Sequence, residues 1–218
     1  MVPANTPSPF ISIWLHPRAT MRHILDTNPR RYVLLLAGAA GAFEVLDTAV
    51  TKRLGDDFGL PFLALLVLLI APIGRILVLY LNGWLTHLTG SWFGGKGTVV
   101  GVRSALAWSN IPEMAMSAVI AIPTILLYGT ESFTRSRPHA KALIASNPQF
   151  ATIVLVTEFA TIAMALVFAV WTIVVTVVCL SEALRISVWR AFAALLLGAV
   201  LAGVLVALLT GVVLLLAS

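Results

Sequence analysis

The segment AWSNIPEMAMSAVIAIPTILL (residues 107–127) places a carboxylate, Glu113, directly after Pro112 in a predominantly apolar run. A helix needs about 20 apolar residues to cross about 30 Å of hydrocarbon, and this segment is long enough. The sequence therefore predicts a membrane-spanning helix that contains a charge. Because ionised groups are costly in lipid, Glu113 needs a partner or a polar surrounding.

The whole chain has the composition of an integral membrane protein. Of its 218 residues, 60% are hydrophobic and 11% are charged, whereas soluble domains carry about 25% charged residues. The apolar runs lack the alternation of barrel strands, so we predict an all-α, polytopic bundle of five transmembrane helices. The predicted spans are residues 32–50, 61–87, 106–128, 150–180 and 191–217.

Residues 1–30 form a separate cytoplasmic or interfacial segment in this interpretation, and residues 31–218 form the five-helix domain. Apolar and basic side chains around Pro17 predict a short amphipathic helix that is broken at this proline. Its basic side, with Arg18 and Arg22, would face anionic lipid headgroups. The alternative is a disordered tail.

The distribution of Lys and Arg predicts the orientation. Eight of them lie on the side of the amino terminus and five on the other, so we expect a cytoplasmic amino terminus and, after five spans, an outside carboxyl terminus. The basic residues flank helices, so the net charge of +5 indicates anionic lipid and not nucleic acid as the partner.

Ionisable residues inside the predicted spans are candidates for function. At ~1.5 Å per residue, Arg75 and Glu113 both lie ~9 Å from the same membrane edge, which predicts an intramembrane charge pair. Nearer the opposite edge, Glu44, Asp47 and Glu158 form a predicted cation or proton site. Alternatively, Glu44 and Asp47 reach an outer vestibule or pair with Lys52 or Arg53.

The segment GSWFGGKGT (residues 90–98) nearly fits a phosphate-binding P-loop. However, Gly97 stands where that loop needs the Ser or Thr that binds Mg²⁺, and the segment follows a membrane helix instead of a strand. We therefore interpret Gly94, Gly95, Lys96 and Gly97 as a cytoplasmic turn whose lysine lies near lipid headgroups.

Small residues recur every four positions in the last span, which allows close approach of a second helix. This helix could belong to the same chain or to another chain, so a homo-oligomer or a complex with other membrane proteins is open. The residues are Ala199, Gly203, Ala207 and Gly211.

The sequence does not indicate catalysis. The single cysteine, Cys179, excludes an intrachain disulfide and a cysteine-based metal site, and no histidine pair has metal-ligand spacing. No serine lies in a nucleophile elbow. We expect no catalytic residue and no cofactor, and the sequence leaves a metal site undetermined.

Three segments carry a resemblance to a known family. GGKGT followed by Arg103 and AWSNIPEM resembles the glycine loop and third-span entry of Yip1-domain membrane proteins. IWLHPRATMRHIL resembles the opening of bacterial members, and Trp171 to SEALRIS with Arg190 resembles their fourth span and following loop. The resemblance implies the five-span fold and, for a bacterial-type member, the inner membrane.

The resemblance also limits the expected function. Eukaryotic members are linked to Rab GTPases and vesicle traffic, but a Rab partner is not expected for a bacterial-type member. It implies a non-enzymatic protein that organises the membrane or assembles with other membrane proteins. The alternative is a transporter or ion-conducting protein that uses the intramembrane carboxylates.

Overall fold

The computed structural model describes residues 8–217, except for the side chains of residues 139, 140, 143, 144, 148, 150, 151, 154, 158, 216 and 217. Every regular element in this part is helical. A π-helical segment, Leu66–Ile70, ends directly before Ala71, and a 3-10 helix, Gly129–Phe133, begins directly after Tyr128. The α-helices are α1 Pro9–Leu15, α2 Pro17–Thr27, α3 Val33–Lys52, α4 Gly55–Phe58, α5 Leu60–Leu65, α6 Ala71–Trp92, α7 Val99–Trp108, α8 Ile111–Tyr128, α9 Pro138–Ser146, α10 Pro148–Leu184 and α11 Val188–Ala217.

Five helical runs of the described residues are long and apolar enough to cross a membrane, which confirms the predicted number. The third run begins at Val99, earlier than the predicted residue 106. Polar residues near its start, Arg103 and Ser104, lower the local hydropathy, so hydropathy alone did not mark this part of the run. There the Thr98 hydroxyl accepts a hydrogen bond from the Gly101 amide (3.1 Å) and caps α7. The runs are Val33–Lys52, Leu60–Trp92, Val99–Phe133, Leu155–Leu184 and Val188–Leu215.

The chain divides into two compact units. Unit 1 comprises Met1–Leu36, Ile76–Asn110 and Ile173–Ser218, and unit 2 comprises Ala37–Arg75 and Ile111–Thr172. Several long helices contribute residues to both units, so the units are not separate stretches of sequence.

Unit 1 contains the short amino-terminal helices. Its core buries Ile13 of α1 and Met21 of α2 completely. The helix is broken at His16, directly before Pro17, as predicted. The Phe10 ring lies 4.9 Å from the Trp108 ring, centroid to centroid. Helices α1 and α2 thus contribute to the core of unit 1.

Unit 2 depends on a close approach between α3 and α6. A Cβ added at Gly41 would lie 2.5 Å from the Ala71 carbonyl oxygen and 2.6 Å from the Arg75 Cβ. Only glycine therefore allows the two helix backbones to approach at this point. In the same unit, the Arg135 guanidinium pairs with Asp57 (3.0 Å) and ties the loop after α8 to α4.

We predict that Gly41→Ala destabilises the protein although alanine favours helix formation. The added methyl group would overpack the α3–α6 contact, a change that typically costs about 1–3 kcal/mol. Gly74→Ala is the matched control, because no described atom lies within 4 Å of a Cβ at Gly74. There the alanine should be neutral or stabilising by up to about 1 kcal/mol. Thermal unfolding in detergent measures the melting temperature of both variants. Equal changes of the melting temperature in Gly41→Ala and Gly74→Ala would contradict the close α3–α6 contact.

Candidate functional site

A cleft in unit 2 contains two carboxylates from different helices. Asp47 of α3 and Glu113 of α8 line this space of about 310 Å³, together with Ser117 of α8 and Thr172 of α10. Each water occupies about 30 Å³ of liquid volume, so the cleft has room for several water molecules. Two carboxylates that line the same space can hold a proton between them or attract a cation.

Arg75 has a different partner from the one that the sequence predicted. Its Nη1 lies 3.4 Å from Oε2 of Glu44, whereas Glu113 lines the cleft. The prediction of an Arg75–Glu113 pair is corrected accordingly. The physical reason is Gly41, which brings α3 against the Ala71 carbonyl and the Arg75 Cβ of α6. Glu44 follows Gly41 by three residues and so shares its helix face.

The predicted acidic site is also divided differently. Glu44 pairs with Arg75, Asp47 shares the cleft with Glu113, and the Glu158 side chain lies outside the described residues. Among the side chains that are described, no three His, Cys, Asp or Glu residues lie close enough to hold a metal ion. Binding of a cation or proton by Glu44, Asp47 and Glu158 stays a prediction.

Two double-mutant cycles separate the two pairings of Arg75. We expect Arg75→Leu and Glu44→Gln to be coupled by about 0.5–1 kcal/mol, because each leaves one charge without its partner. Arg75→Leu and Glu113→Gln should be additive within error. Unfolding free energies in detergent, measured for the singles and doubles, provide the coupling values. Coupling with Glu113 and not with Glu44 would reverse the assignment.

The glycine loop of unit 1 folds against the end of α10. The Lys96 amide donates to the Leu184 carbonyl (3.0 Å), and the Gly95 amide donates to the Gly90 carbonyl (2.9 Å). A P-loop instead directs such amides at a phosphate. The backbone of this loop therefore serves chain packing.

Gly97 explains why the loop needs glycine. A Cβ at this position would collide with the Ala183 carbonyl oxygen, which belongs to the α10 backbone. The Gly97 carbonyl also lies 3.1 Å from His87 Nε2 of α6. The Lys96 side chain is exposed, so its contact with lipid headgroups stays a prediction.

Glu182 is the residue at this site that sequence reasoning missed. Its carboxylate lies 3.0 Å from Arg18 Nε and 2.9 Å from Arg22 Nη2, so it binds both arginines of α2. The glycine loop docks one turn or less away, on Ala183 and Leu184. One feature of the sequence could have indicated Glu182: it is the one acidic residue after Glu158.

We predict that Gly97→Ala lowers the melting temperature, because the α10 carbonyl cannot move away cheaply from an added methyl group. Overpacking of this kind typically costs about 1–3 kcal/mol. Lys96→Ala is the control in the same loop, since it keeps the amide that donates to Leu184. It should leave the melting temperature in detergent unchanged. A loss of stability in Lys96→Ala and none in Gly97→Ala would refute the packing role.

Comparison with known proteins gave one family match. The family model described as the Yip1 domain matches residues 11–210. No curated protein and no solved structure matches the chain. The match includes α2 and most of α1, and the predicted boundary at residue 30 stays a prediction.

Proposed function

The chain belongs to the Yip1 family of membrane proteins, and from this premise we propose that it is a non-enzymatic protein that assembles laterally in the membrane. The proposed partner is a second copy of the chain or another membrane protein. The expected absence of catalysis rests on the family and on the sequence, in which no nucleophile or histidine pair has a catalytic context.

The observation that supports assembly is an uncovered row of small residues on α11, here called the small-residue face. No described atom lies within 4 Å of a Cβ at Gly203 or Gly211, and Ala199 and Ala207 are exposed. Because these residues recur every four positions, they share one helix face. Such a face permits close helix approach in lipid, where apolar burial supplies no driving force.

Another glycine of α11, Gly198, does have contacts within the chain, which makes the contrast informative. At Gly198 of α11, a Cβ would lie 3.3 Å from the Thr86 Oγ1. The same helix is further held by the Thr89 hydroxyl, which donates to the Ala194 carbonyl (2.8 Å). One part of α11 is thus used within the chain, and the small-residue face remains available to a partner.

The proposed location is the bacterial inner membrane, with the amino terminus in the cytoplasm. The excess of Lys and Arg on the amino-terminal side supports this orientation. The proposed bacterial origin rests on the IWLHPRATMRHIL motif.

The transport alternative would use the cleft of Asp47 and Glu113. A transporter needs a wet path with access from both membrane faces, and a cleft within unit 2 supplies only carboxylates and local volume. Assembly is therefore the function that we propose.

Cysteine crosslinking tests the small-residue face. The native Cys179 is buried, so it should not crosslink, and Ala207→Cys introduces an accessible thiol. We expect oxidation in liposomes to give a product of twice the mass. Leu209→Cys is the control, because this exposed residue lies about 200° around the helix from Ala207.

Adding Gly203→Leu should abolish the Ala207→Cys product without lowering stability, because the leucine would block close approach. Gly74→Leu, at another open glycine, should leave the product intact. When the same oxidation is done in cell membranes, a product that contains a different membrane protein would support a heteromeric partner. Equal crosslinking at positions 207 and 209 would mean random collision and would refute the proposal.

A further inference from the structure

Arg103 of α7 is a cation inside a membrane-spanning run, and no described carboxylate pairs with it. The ion pairs of the described side chains involve other arginines, and Arg103 has none. Its Nε is buried and has no hydrogen-bond acceptor. Because an ionised group in a span is costly, Arg103 requires compensation from outside these contacts.

Two residues of α6 hold the Arg103 side chain in a fixed position. The guanidinium carbon lies 4.1 Å from the centre of the Tyr80 ring, a cation–π contact. At Gly83, an added Cβ would lie 2.5 Å from the Arg103 Cγ, so the side chain crosses α6 where only glycine leaves space. Of the three guanidinium nitrogens, only Nε is both buried and without an acceptor, so the two terminal nitrogens are the donors for an outside acceptor.

The surroundings of this guanidinium match the boundary of a membrane. Arg103 lies four residues after the start of α7, or ~6 Å along the helix axis. Tyr80 and Trp84 are one turn apart on α6 and are 44% and 52% exposed. Exposed Tyr and Trp are typical of the headgroup level. The adjacent Leu77 is also exposed and offers an apolar surface for an acyl chain.

We propose that Arg103, held by Tyr80 and Gly83, binds the phosphate of an anionic phospholipid at the α6–α7 surface. The planar guanidinium presents its two terminal nitrogens to two phosphate oxygens, which gives a paired, charge-assisted contact. The lipid phosphate neutralises the arginine and satisfies its remaining donors. This site is independent of the small-residue face on α11.

Native mass spectrometry of the full chain in detergent tests the site, with phosphatidylglycerol as the anionic probe and phosphatidylcholine as the neutral one. Arg103→Gln should lower the affinity for phosphatidylglycerol about tenfold, the effect of one charge-assisted hydrogen bond. Tyr80→Phe keeps the ring and should bind normally, whereas Tyr80→Leu should bind more weakly. The matched control is Arg190→Gln, a cation of the same unit without the Tyr80 contact.

Several outcomes would overturn this proposal. An equal loss in Arg190→Gln would indicate a general charge effect, and unchanged binding by Arg103→Gln would exclude the site. Competition by inorganic phosphate at lipid concentrations would identify a free anion as the ligand. If Arg103→Gln does not fold, Arg103→Lys tests the site in its place, because lysine keeps the charge but lacks the planar pair of donors. Wild-type affinity in the lysine variant would refute the proposed contact.

Discussion

A charged side chain in a membrane-spanning helix needs a partner, and this constraint accounts for much of how the described helices contact one another. In unit 2, Arg75 of α6 forms an ion pair with Glu44 of α3. In unit 1, Glu182 of α10 forms ion pairs with Arg18 and Arg22 of α2. Each charge contact joins helices that are distant in sequence. The few charges of the chain therefore help to determine which helix faces are in contact. The apolar residues determine which segments form membrane-spanning helices.

The helices could be predicted from the sequence because length and hydropathy are local properties. The pairing of Arg75 could not, because depth along a helix axis gives one coordinate and leaves the direction around the axis undetermined. Depth alone favoured Glu113, because it placed Glu44 nearer the opposite membrane edge. The contact at Gly41 selects Glu44, since it fixes the face that α3 presents to α6. The small residues near Gly41 were visible in the sequence, but their partner helix was not.

Glycines in this chain have two different roles that look identical in sequence. Gly97 and Gly41 lie where a Cβ would meet backbone atoms of another helix, whereas Gly203 and Gly211 face open space. The four-residue spacing of the last span predicted close approach at Gly203 and Gly211, but it could not tell a contact within the chain from one between chains. The P-loop-like motif illustrates the same limit. Its glycines serve the docking of Ala183 and Leu184, a contact between segments almost 90 residues apart.

The ion pairs of Glu182 change how the net positive charge should be interpreted. Arg18 and Arg22 of α2 were expected to face anionic lipid. Glu182 pairs with both of them, and each arginine side chain stays more than half exposed, so their contact with lipid stays a prediction. Burial of Ile13 and Met21 anchors α1 and α2, while Ile11 and Leu15 of α1 remain exposed. Because Glu182 offsets part of the charge of the two arginines, attraction to anionic lipid should be stronger at cations that have no carboxylate partner. The number of basic residues therefore overstates the charge that the membrane surface encounters.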